Sequence, residues 1–238
     1  MSSFPEIHIH YLGHASFVLA FDNGVSVLTD YGQSRAYGLD SPIYDRGGLE
    51  PTVVTTSHRH EDHDRGETFA GAQVLSGESV EIKGIGFQPV PVTEWDAGDN
   101  VGYLITYGGV SIFHAGDCQG DMAAIDEQSV QQRLRNQVPG RLDLLLAPIG
   151  WTRDIVPQAA AYVDFLRPWR MMPMHYWSAD EKQRFLDHLR SSGKGYPITE
   201  VGGPRYQLAA PAAEGTVEIV SLTPGPFEGE VEGPQSTV

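Results

Sequence analysis

Short apolar runs separated by polar turns dominate the first half of the 238-residue chain. Runs of this length, bounded by Gly, Pro, Asn or Asp, are typical of β-strands. Asn23-Gly24 favours a type I′ hairpin turn, in which both central residues need positive φ, and Gly108-Gly109 predicts another tight turn. The strands predicted in this half are 7–12, 16–21, 25–28, 53–56, 73–75, 81–85, 87–92, 103–107 and 110–113.

The pattern changes to helical spacing in the second half. Met122, Ile125, Val130 and Leu134 recur on one face of a helix predicted over 122–138, which Pro139-Gly140 would end. Further helices are predicted at 154–166 and 179–189, and strands at 142–148, 170–174, 199–209 and 216–222. This order predicts an α+β fold with two sheets and helices outside, rather than an open parallel sheet.

Length and composition fit one globular domain. A chain of this size buries about 70 to 75% of its unfolded surface, so the core needs neither a disulfide nor a structural metal. We predict a single domain over 1–223. The remainder, 224–238, is an acidic segment rich in Pro and Gly with no positive charge and little to bury, which predicts a frayed tail.

The charge balance excludes several classes of partner. A formal net charge of -15 repels nucleic acid phosphates, so no nucleic acid partner is expected. No apolar run approaches the roughly 20 residues that span a bilayer. The N-terminus lacks a signal peptide pattern and Cys118 is the only cysteine, which together predict a cytoplasmic protein. The sequence does not indicate an oligomeric state.

Three histidines and an aspartate stand within six residues, directly after the apolar run 51–56. The segment reads Ser57-His58-Arg59-His60-Glu61-Asp62-His63-Asp64. A loop that follows a strand can turn several side chains toward one point instead of alternating them across a sheet. Imidazole nitrogen and carboxylate oxygen suit zinc and its neighbours. A solvated loop would account for one histidine, but this cluster predicts a metal site.

Two distant segments are predicted to join this site. In 112–117 a strand runs into Gly116-Asp117, where the glycine lets the backbone turn and Asp117 can aim its carboxylate from a strand end. In 172–177 an apolar strand delivers His175 to a loop. Alone, each residue would be an ordinary turn or core residue. No phosphate-binding glycine loop, nucleophile elbow or solenoid repeat competes with this interpretation.

With these motifs the chain resembles the metallo-β-lactamase superfamily of hydrolases. The resemblance rests on 58–63, on Gly116-Asp117 and on 173–176, and it extends from about Tyr11 to Leu208. Gly13-His14-Ala15-Ser16, Thr29-Asp30 and 113–117 look most like the branch that includes L-ascorbate-6-phosphate lactonase-like and N-acyl-phosphatidylethanolamine phospholipase D-like proteins.

This resemblance implies a four-layer αββα sandwich with a metal site at one edge of the two sheets. It implies two divalent ions, with zinc favoured. It assigns His58 and His60 to the first ion, Asp62, His63 and His175 to the second, and Asp117 to a bridging position.

The family's third histidine for the first ion has no counterpart, since no histidine occurs between His63 and His114. Glu94, or less favourably Asp96, would supply an oxygen ligand instead. The first site would then accept manganese or iron as readily as zinc. Two alternatives stay open: Glu94 is an ordinary loop carboxylate, and the first ion is weakly held or absent.

Other residues are expected around the ligands. The candidates for orienting a metal ligand or carboxylate are Asp30, His14 and His114, and those for a substrate pocket wall are Trp177, Tyr176 and Trp95. Cys118 is expected to be a small buried residue, whereas His8 and His10 are expected at the surface.

The predicted function is metal-dependent hydrolysis of an ester-like bond in a small molecule: a lactone, phosphodiester, thioester or amide. Two ions about 3.5–4 Å apart can share a hydroxide, since they lower the pKa of water from about 15.7 toward 7. Asp62 is the predicted catalytic group, and either Asp62 or the metal-bridging water would pass a proton to the leaving group. The alternatives are a metal-binding or sensory protein without turnover and, less favoured, a di-iron redox protein.

Overall fold

The computed structural model describes residues 4–32, 47–65, 69–92, 100–118, 136, 140–150, 155–211 and 215–227. The strands are β1 (Ile7–Gly13), β2 (Ser16–Phe21), β3 (Ser26–Thr29), β4 (Val53–Thr55), β5 (Gln73–Leu75), β6 (Val80–Ile82), β7 (Ile85–Val92), β8 (Asn100–Tyr107), β9 (Val110–His114), β10 (Leu144–Pro148), β11 (Arg170–Met174), β12 (Ile198–Glu200), β13 (Arg205–Leu208) and β14 (Glu218–Ser221). The helices are α1 (Val156–Leu166) and α2 (Ala179–Ser191).

These strands form two mixed sheets, as predicted. The smaller sheet has the order β13-β1-β2-β3-β4-β5, and the larger has the order β12-β14-β11-β10-β9-β8-β7-β6. The β3, β4 and β5 strands run parallel to one another, as do β9, β10, β11, β14 and β12. The carboxyl ends of the parallel strands within each sheet therefore lie at one edge of it.

Alternate residues of the smaller sheet divide between two apolar clusters, as the period-2 geometry of a strand requires. The main cluster lies between the sheets and includes Tyr11, Phe17, Leu19, Val27 and Val53. The second cluster covers the opposite face and includes Leu12, Val18, Leu28, Val54 and Phe69. Both faces of this sheet are therefore buried, which explains its nearly continuous apolar runs.

The helices pack against the larger sheet. Val163 on α1 and Phe185 and Leu186 on α2 are buried in the main cluster. Ser178 caps α2 because its hydroxyl accepts a hydrogen bond from the Glu181 amide. Within the described ranges, neither helix combines the length and apolarity that crossing a bilayer requires.

The β2–β3 hairpin is present, but its turn is not the predicted type I′. Of the two central residues only Gly24 has positive φ, at 79°. The Asn23 side chain instead donates its nitrogen to the distant Lys83 carbonyl, and its oxygen bonds locally by accepting from the Val25 amide. This local bonding is an alternative to positive φ for an asparagine. Gly108 and Gly109 both have positive φ, as predicted.

Two predicted strands are each split by a turn. Lys83 and Gly84 both have positive φ and reverse the chain between β6 and β7, so 81–85 is not one strand. Residues 199–209 also do not form one strand: β12 pairs with β14 in the larger sheet, whereas β13 pairs with β1 in the smaller sheet. The Gly202-Gly203-Pro204 segment between them lets the chain change sheets.

The expectation that His10 lies at the surface is wrong. Only 5% of His10 is exposed, and its Nε2 atom bonds the Gly225 carbonyl at 3.0 Å. Gly225 in turn donates its amide to the Tyr11 carbonyl, and the Phe227 ring lies 5.2 Å from the His10 ring. Residues 224–227 of the predicted tail therefore pack against β1. The tail boundary itself stays a prediction, because 228–238 lies outside the described residues, as does most of the predicted helix 122–138.

Gly102 on β8 tests how tightly the strands leading to Asp117 are packed. A Cβ atom there would lie 2.6 Å from the Phe113 ring and 2.8 Å from the His114 carbonyl oxygen. We expect Gly102→Ala to lower the free energy of unfolding by about 1–3 kcal/mol in urea titrations. Gly202→Ala is the matched control, since a Cβ there meets nothing within 4 Å. Equal stability of the two variants would contradict this packing.

Candidate metal centre

The ends of the parallel strands bring the chemically active side chains together. Asp30 follows β3, the 57–63 loop follows β4, Asp117 follows β9 and His175 follows β11. His14 lies in the hairpin between β1 and β2. Ligand sites commonly lie outside the carboxyl ends of parallel strands, because the loops there are free of ladder hydrogen bonds.

The Asp117 carboxylate lies among three imidazoles in the interior. Its Oδ1 atom is 3.0 Å from His175 Nε2 and 3.3 Å from His63 Nε2, and its Oδ2 atom is 3.7 Å from His58 Nε2. Only 1% of Asp117 is exposed. Despite these short distances neither oxygen makes a hydrogen bond of acceptable geometry. The nitrogen and oxygen atoms therefore converge without pointing at one another, an arrangement that an ion between them would satisfy.

The possible ligands form two groups. One comprises His14, Asp62, His63 and His175, the other His58, His63 and Asp117, and the donor atoms within each group lie within 4.8 Å of one another. All are buried. His63 belongs to both groups, so the two sets are adjacent parts of one centre.

Each of three ligand rings is held through its Nδ1 atom, which leaves Nε2 toward the centre. His63 Nδ1 donates to Asp30 Oδ2 at 2.9 Å, and His175 Nδ1 donates to the Gly150 carbonyl at 3.1 Å. His58 Nδ1 lies 2.9 Å from Ser57 Oγ, which donates to the same Asp30 oxygen at 2.7 Å. Asp30 therefore contacts His63 directly and His58 through Ser57, in contacts of the kind that fix metal-binding histidines.

The protonation states follow from these contacts. Burial alone would raise the pKa of Asp117, but the charges of His175 and His63 outweigh it and hold the pKa well below its usual range. Burial would lower the pKa of His63, yet Asp117 raises it well above the ordinary value. By contrast, burial lowers the pKa of His58 to about 4. His58 is therefore a neutral imidazole at pH 7, whereas an ion must displace a proton from His63.

His14, predicted to orient a ligand, is itself one of the possible ligands, in one group with Asp62, His63 and His175. Its Nε2 atom lies 2.8 Å from Asp62 Oδ2, which leaves Asp62 Oδ1 and His14 Nδ1 buried without hydrogen-bond partners. Its backbone has a φ of 53°. The His14 carbonyl accepts hydrogen bonds from the Tyr11 hydroxyl and the His175 amide, which hold this conformation. Burial, followed by the charge of His175, lowers the pKa of His14 to about 3.

His114 has both ring nitrogens occupied. Nε2 donates to the Ala15 carbonyl at 2.8 Å, across the two sheets, and Nδ1 accepts from the Gly116 amide at 3.2 Å. It therefore bonds the turn before Asp117 and has no ring nitrogen left for an ion. Gly116 has a φ of 55°, and a Cβ there would lie 2.8 Å from Ser57 Cβ, so this turn requires glycine.

Not every predicted ligand joins the two groups. His60 is half-buried and its Nδ1 atom lies 2.8 Å from His58 Nε2, outside both groups. Glu94 and Trp95 lie outside the described residues. Cys118 is buried beside the Tyr162 hydroxyl, as expected for a packing residue.

The two aromatic residues after His175 differ in position. The Trp177 ring lies 4.7 Å from the His14 ring and 5.2 Å from the His175 ring, and its amide donates to Glu181 Oε2 at 2.6 Å. Trp177 therefore lines the centre. Tyr176 is only 2% exposed and belongs to the main apolar cluster, so its placement argues against the predicted pocket-wall role.

Three residues of the centre were not identified from the sequence. Ser57 links His58 to Asp30. Its position directly before the histidine cluster could have identified it in the sequence. A Cβ at Gly32 would lie 1.8 Å from the Asp62 backbone, and one at Gly150 would lie 2.8 Å from the His175 carbonyl. Both glycines permit a close approach between segments distant in sequence, which no local pattern encodes.

The donor chemistry fits divalent ions of the zinc type. The two groups offer imidazole nitrogens and carboxylate oxygens without cysteine. The buried Asp62 Oδ1, His63 Nε2 and Asp117 oxygens all lack hydrogen-bond partners, and buried polar atoms are rarely left so in folded proteins. An ion would satisfy each of these atoms.

Asp30→Asn tests the orientation of the ligand rings. The Asp30 carboxylate accepts from Ser57 and His63, whereas an amide nitrogen would oppose one of these donors. We expect the zinc dissociation constant, measured by chelator competition, to rise about 10- to 100-fold. Asp22→Asn in the β2–β3 hairpin is the matched control and should leave it unchanged. Unaltered zinc binding in Asp30→Asn would exclude this role.

Comparisons with known proteins agree with this architecture. A family model described as beta-lactamase superfamily domain matches residues 8–175. A metal-dependent hydrolase of Thermococcus kodakarensis is 28% identical over 204 residues, covering 71% of this chain and 84% of that protein.

Solved structures show the same fold. A metallo-β-lactamase superfamily protein of Thermotoga maritima superposes with a TM-score of 0.61 at 21% identity, covering 91% of this chain and 100% of that one. Igni18, a metallo hydrolase of Ignicoccus hospitalis, gives a TM-score of 0.55 at 21% identity, covering 94% and 100%. The predicted αββα sandwich is confirmed, and the chain belongs to the metallo-β-lactamase superfamily.

Proposed function

We propose that this protein is a metal-dependent hydrolase that cleaves an ester-like bond of a small molecule. The main support for this proposal is the Asp117 carboxylate, which is buried among His58, His63 and His175 without a hydrogen bond of its own. The relative from Thermococcus kodakarensis bears the name metal-dependent hydrolase, which supports the same class of activity. Divalent ions at these donors would supply Lewis acidity that generates a nucleophile from water at neutral pH.

The two oxygens of Asp117 favour a centre with two ions. Oδ1 lies near His63 and His175, whereas Oδ2 lies on the side of His58. One carboxylate therefore reaches both ligand groups, as a bridging residue must. His58 would serve the first ion and His175 the second.

The buried charges also favour two ions. Asp30, Asp62 and Asp117 are each no more than 2% exposed, and their pKa values are lowered because hydrogen bonds and charges of nearby histidines outweigh burial. Three ionised carboxylates carry three negative charges. One divalent ion would leave these three carboxylates with a net negative charge, whereas two would offset it.

Asp62 and Trp177 have distinct roles in this proposal. Asp62 Oδ2 lies 2.8 Å from His14 Nε2 and 3.5 Å from His63 Nε2, whereas Oδ1 has no hydrogen-bond partner, so this carboxylate could bind an ion or accept a proton from water. The Trp177 indole would form an apolar wall beside the substrate, since its ring lies against those of His14 and His175.

Asp117→Asn tests the function. Zinc- or manganese-loaded protein should hydrolyse at least one member of a panel of lactones, phosphodiesters, thioesters and amides. We expect Asp117→Asn to lower kcat/KM at least about 100-fold, which corresponds to about 2.7 kcal/mol of transition-state stabilisation. Asp187→Asn on the exposed face of α2 is the control and should retain activity. A protein that holds one ion per chain and hydrolyses nothing would instead support a metal-binding or sensory role.

Glu94→Ala tests the proposed oxygen ligand of the first ion. Elemental analysis should find two ions per wild-type chain and about one per Glu94→Ala chain, because loss of a ligand weakens one site only. Glu81→Ala on exposed β6 is the control. Equal metal content in all three proteins would remove Glu94 from the centre.

A further inference from the structure

Asn100 is a buried polar residue beside the candidate metal centre. It is the first residue of β8 and lies opposite the last residue of β7, Val92. Only 3% of it is exposed, and both Oδ1 and Nδ2 are buried without a hydrogen-bond partner. Asn23, by comparison, bonds through both of its amide atoms. A buried carboxamide without partners is unfavourable unless a ligand completes it.

The Asn100 side chain lies between the two segments that present His58 and Asp117. A Cβ at Gly116 would be 2.9 Å from Asn100 Oδ1 and 2.8 Å from Ser57 Cβ. The side-chain oxygen of Asn100 therefore lies beside Gly116, in the turn before Asp117. Ser57, which precedes His58, lies next to the same glycine. The next residue of β8, Val101, donates its amide to the Ser57 carbonyl at 3.0 Å and holds the strand against this loop.

Among the described residues, the adjacent ligand group has few donors; Glu94, the oxygen ligand of the proposed function, lies outside them. His58, His63 and Asp117 provide three donor residues, and His63 is shared with the other group. A carboxamide oxygen is a neutral, hard ligand of the kind that manganese accepts more readily than soft ligands. It would add a donor without adding a fourth negative charge to the buried carboxylates.

We propose that Asn100 Oδ1 completes the His58–His63–Asp117 group as a metal ligand and inclines that site toward oxygen-preferring ions such as Mn²⁺. This inference rests on the metal centre of the proposed function. It adds a donor from the first residue of β8 to the oxygen ligand that the proposed function assigns to Glu94.

The test pairs Asn100→Ala with Asn23→Ala. In metal-free protein, thermal unfolding of Asn100→Ala should match or exceed that of wild type, because no hydrogen bond is lost, whereas Asn23→Ala should unfold at a lower temperature. In Mn²⁺ titrations followed by the electron paramagnetic resonance of the free ion, Asn100→Ala should weaken one of two sites about 10-fold or more. Asn23→Ala should leave both sites unchanged.

Asn100→Asp provides a second variant of the same size. It keeps an oxygen donor, so it should retain two Mn²⁺ ions per chain. Unchanged Mn²⁺ affinity in Asn100→Ala, or a loss of metal-free stability as large as that of Asn23→Ala, would overturn the inference and give Asn100 a packing role. Wild-type protein that binds no ion would refute the proposed function itself, whereas two normal sites in Asn100→Ala would refute only this assignment.

Discussion

The organisation of this protein depends on one buried carboxylate, Asp117, surrounded by imidazoles it does not bond. Placing these groups in the interior is costly unless something joins them. The surrounding hydrogen bonds, from His63 to Asp30 and from His175 to the Gly150 carbonyl, orient the imidazole rings so that their other nitrogens face the centre. The fold therefore maintains a set of buried donors whose geometry is determined by the hydrogen bonds around them and which could hold a metal ion.

The two sheets are what make this possible. Asp30 and the 57–63 loop come from the smaller sheet, whereas Asp117 and His175 come from the larger one. The hydrogen bonds from the His175 amide to the His14 carbonyl and from His114 to Ala15 join the sheets at the same edge. Glycine at 116 and 32 allows the loops to approach more closely than a side chain would permit.

Much of this could be predicted from the sequence because its signals are local. Apolar runs located the strands, and a cluster of histidines after one of them located the centre. The features that the sequence did not predict are those in which contacts between distant residues override the local pattern. The local pattern of residues 199–209 predicts one strand. In the structure the Gly202-Gly203-Pro204 segment divides these residues between β12 and β13, which belong to different sheets. The proximity of His14 to Asp62 and the isolation of Asn100 are likewise properties of assembled strands, not of any short segment.

The last described residues of the chain contact β1, the strand that leads to His14. Gly225 bonds the backbone of Tyr11, and Phe227 joins the second apolar cluster beside Leu12, two residues before His14. The composition change at 224 suggests a natural place to shorten the protein. Cutting there would remove the contacts of Gly225 and Phe227 with β1 and the second apolar cluster, so a truncated form that is to keep this packing should run through Phe227.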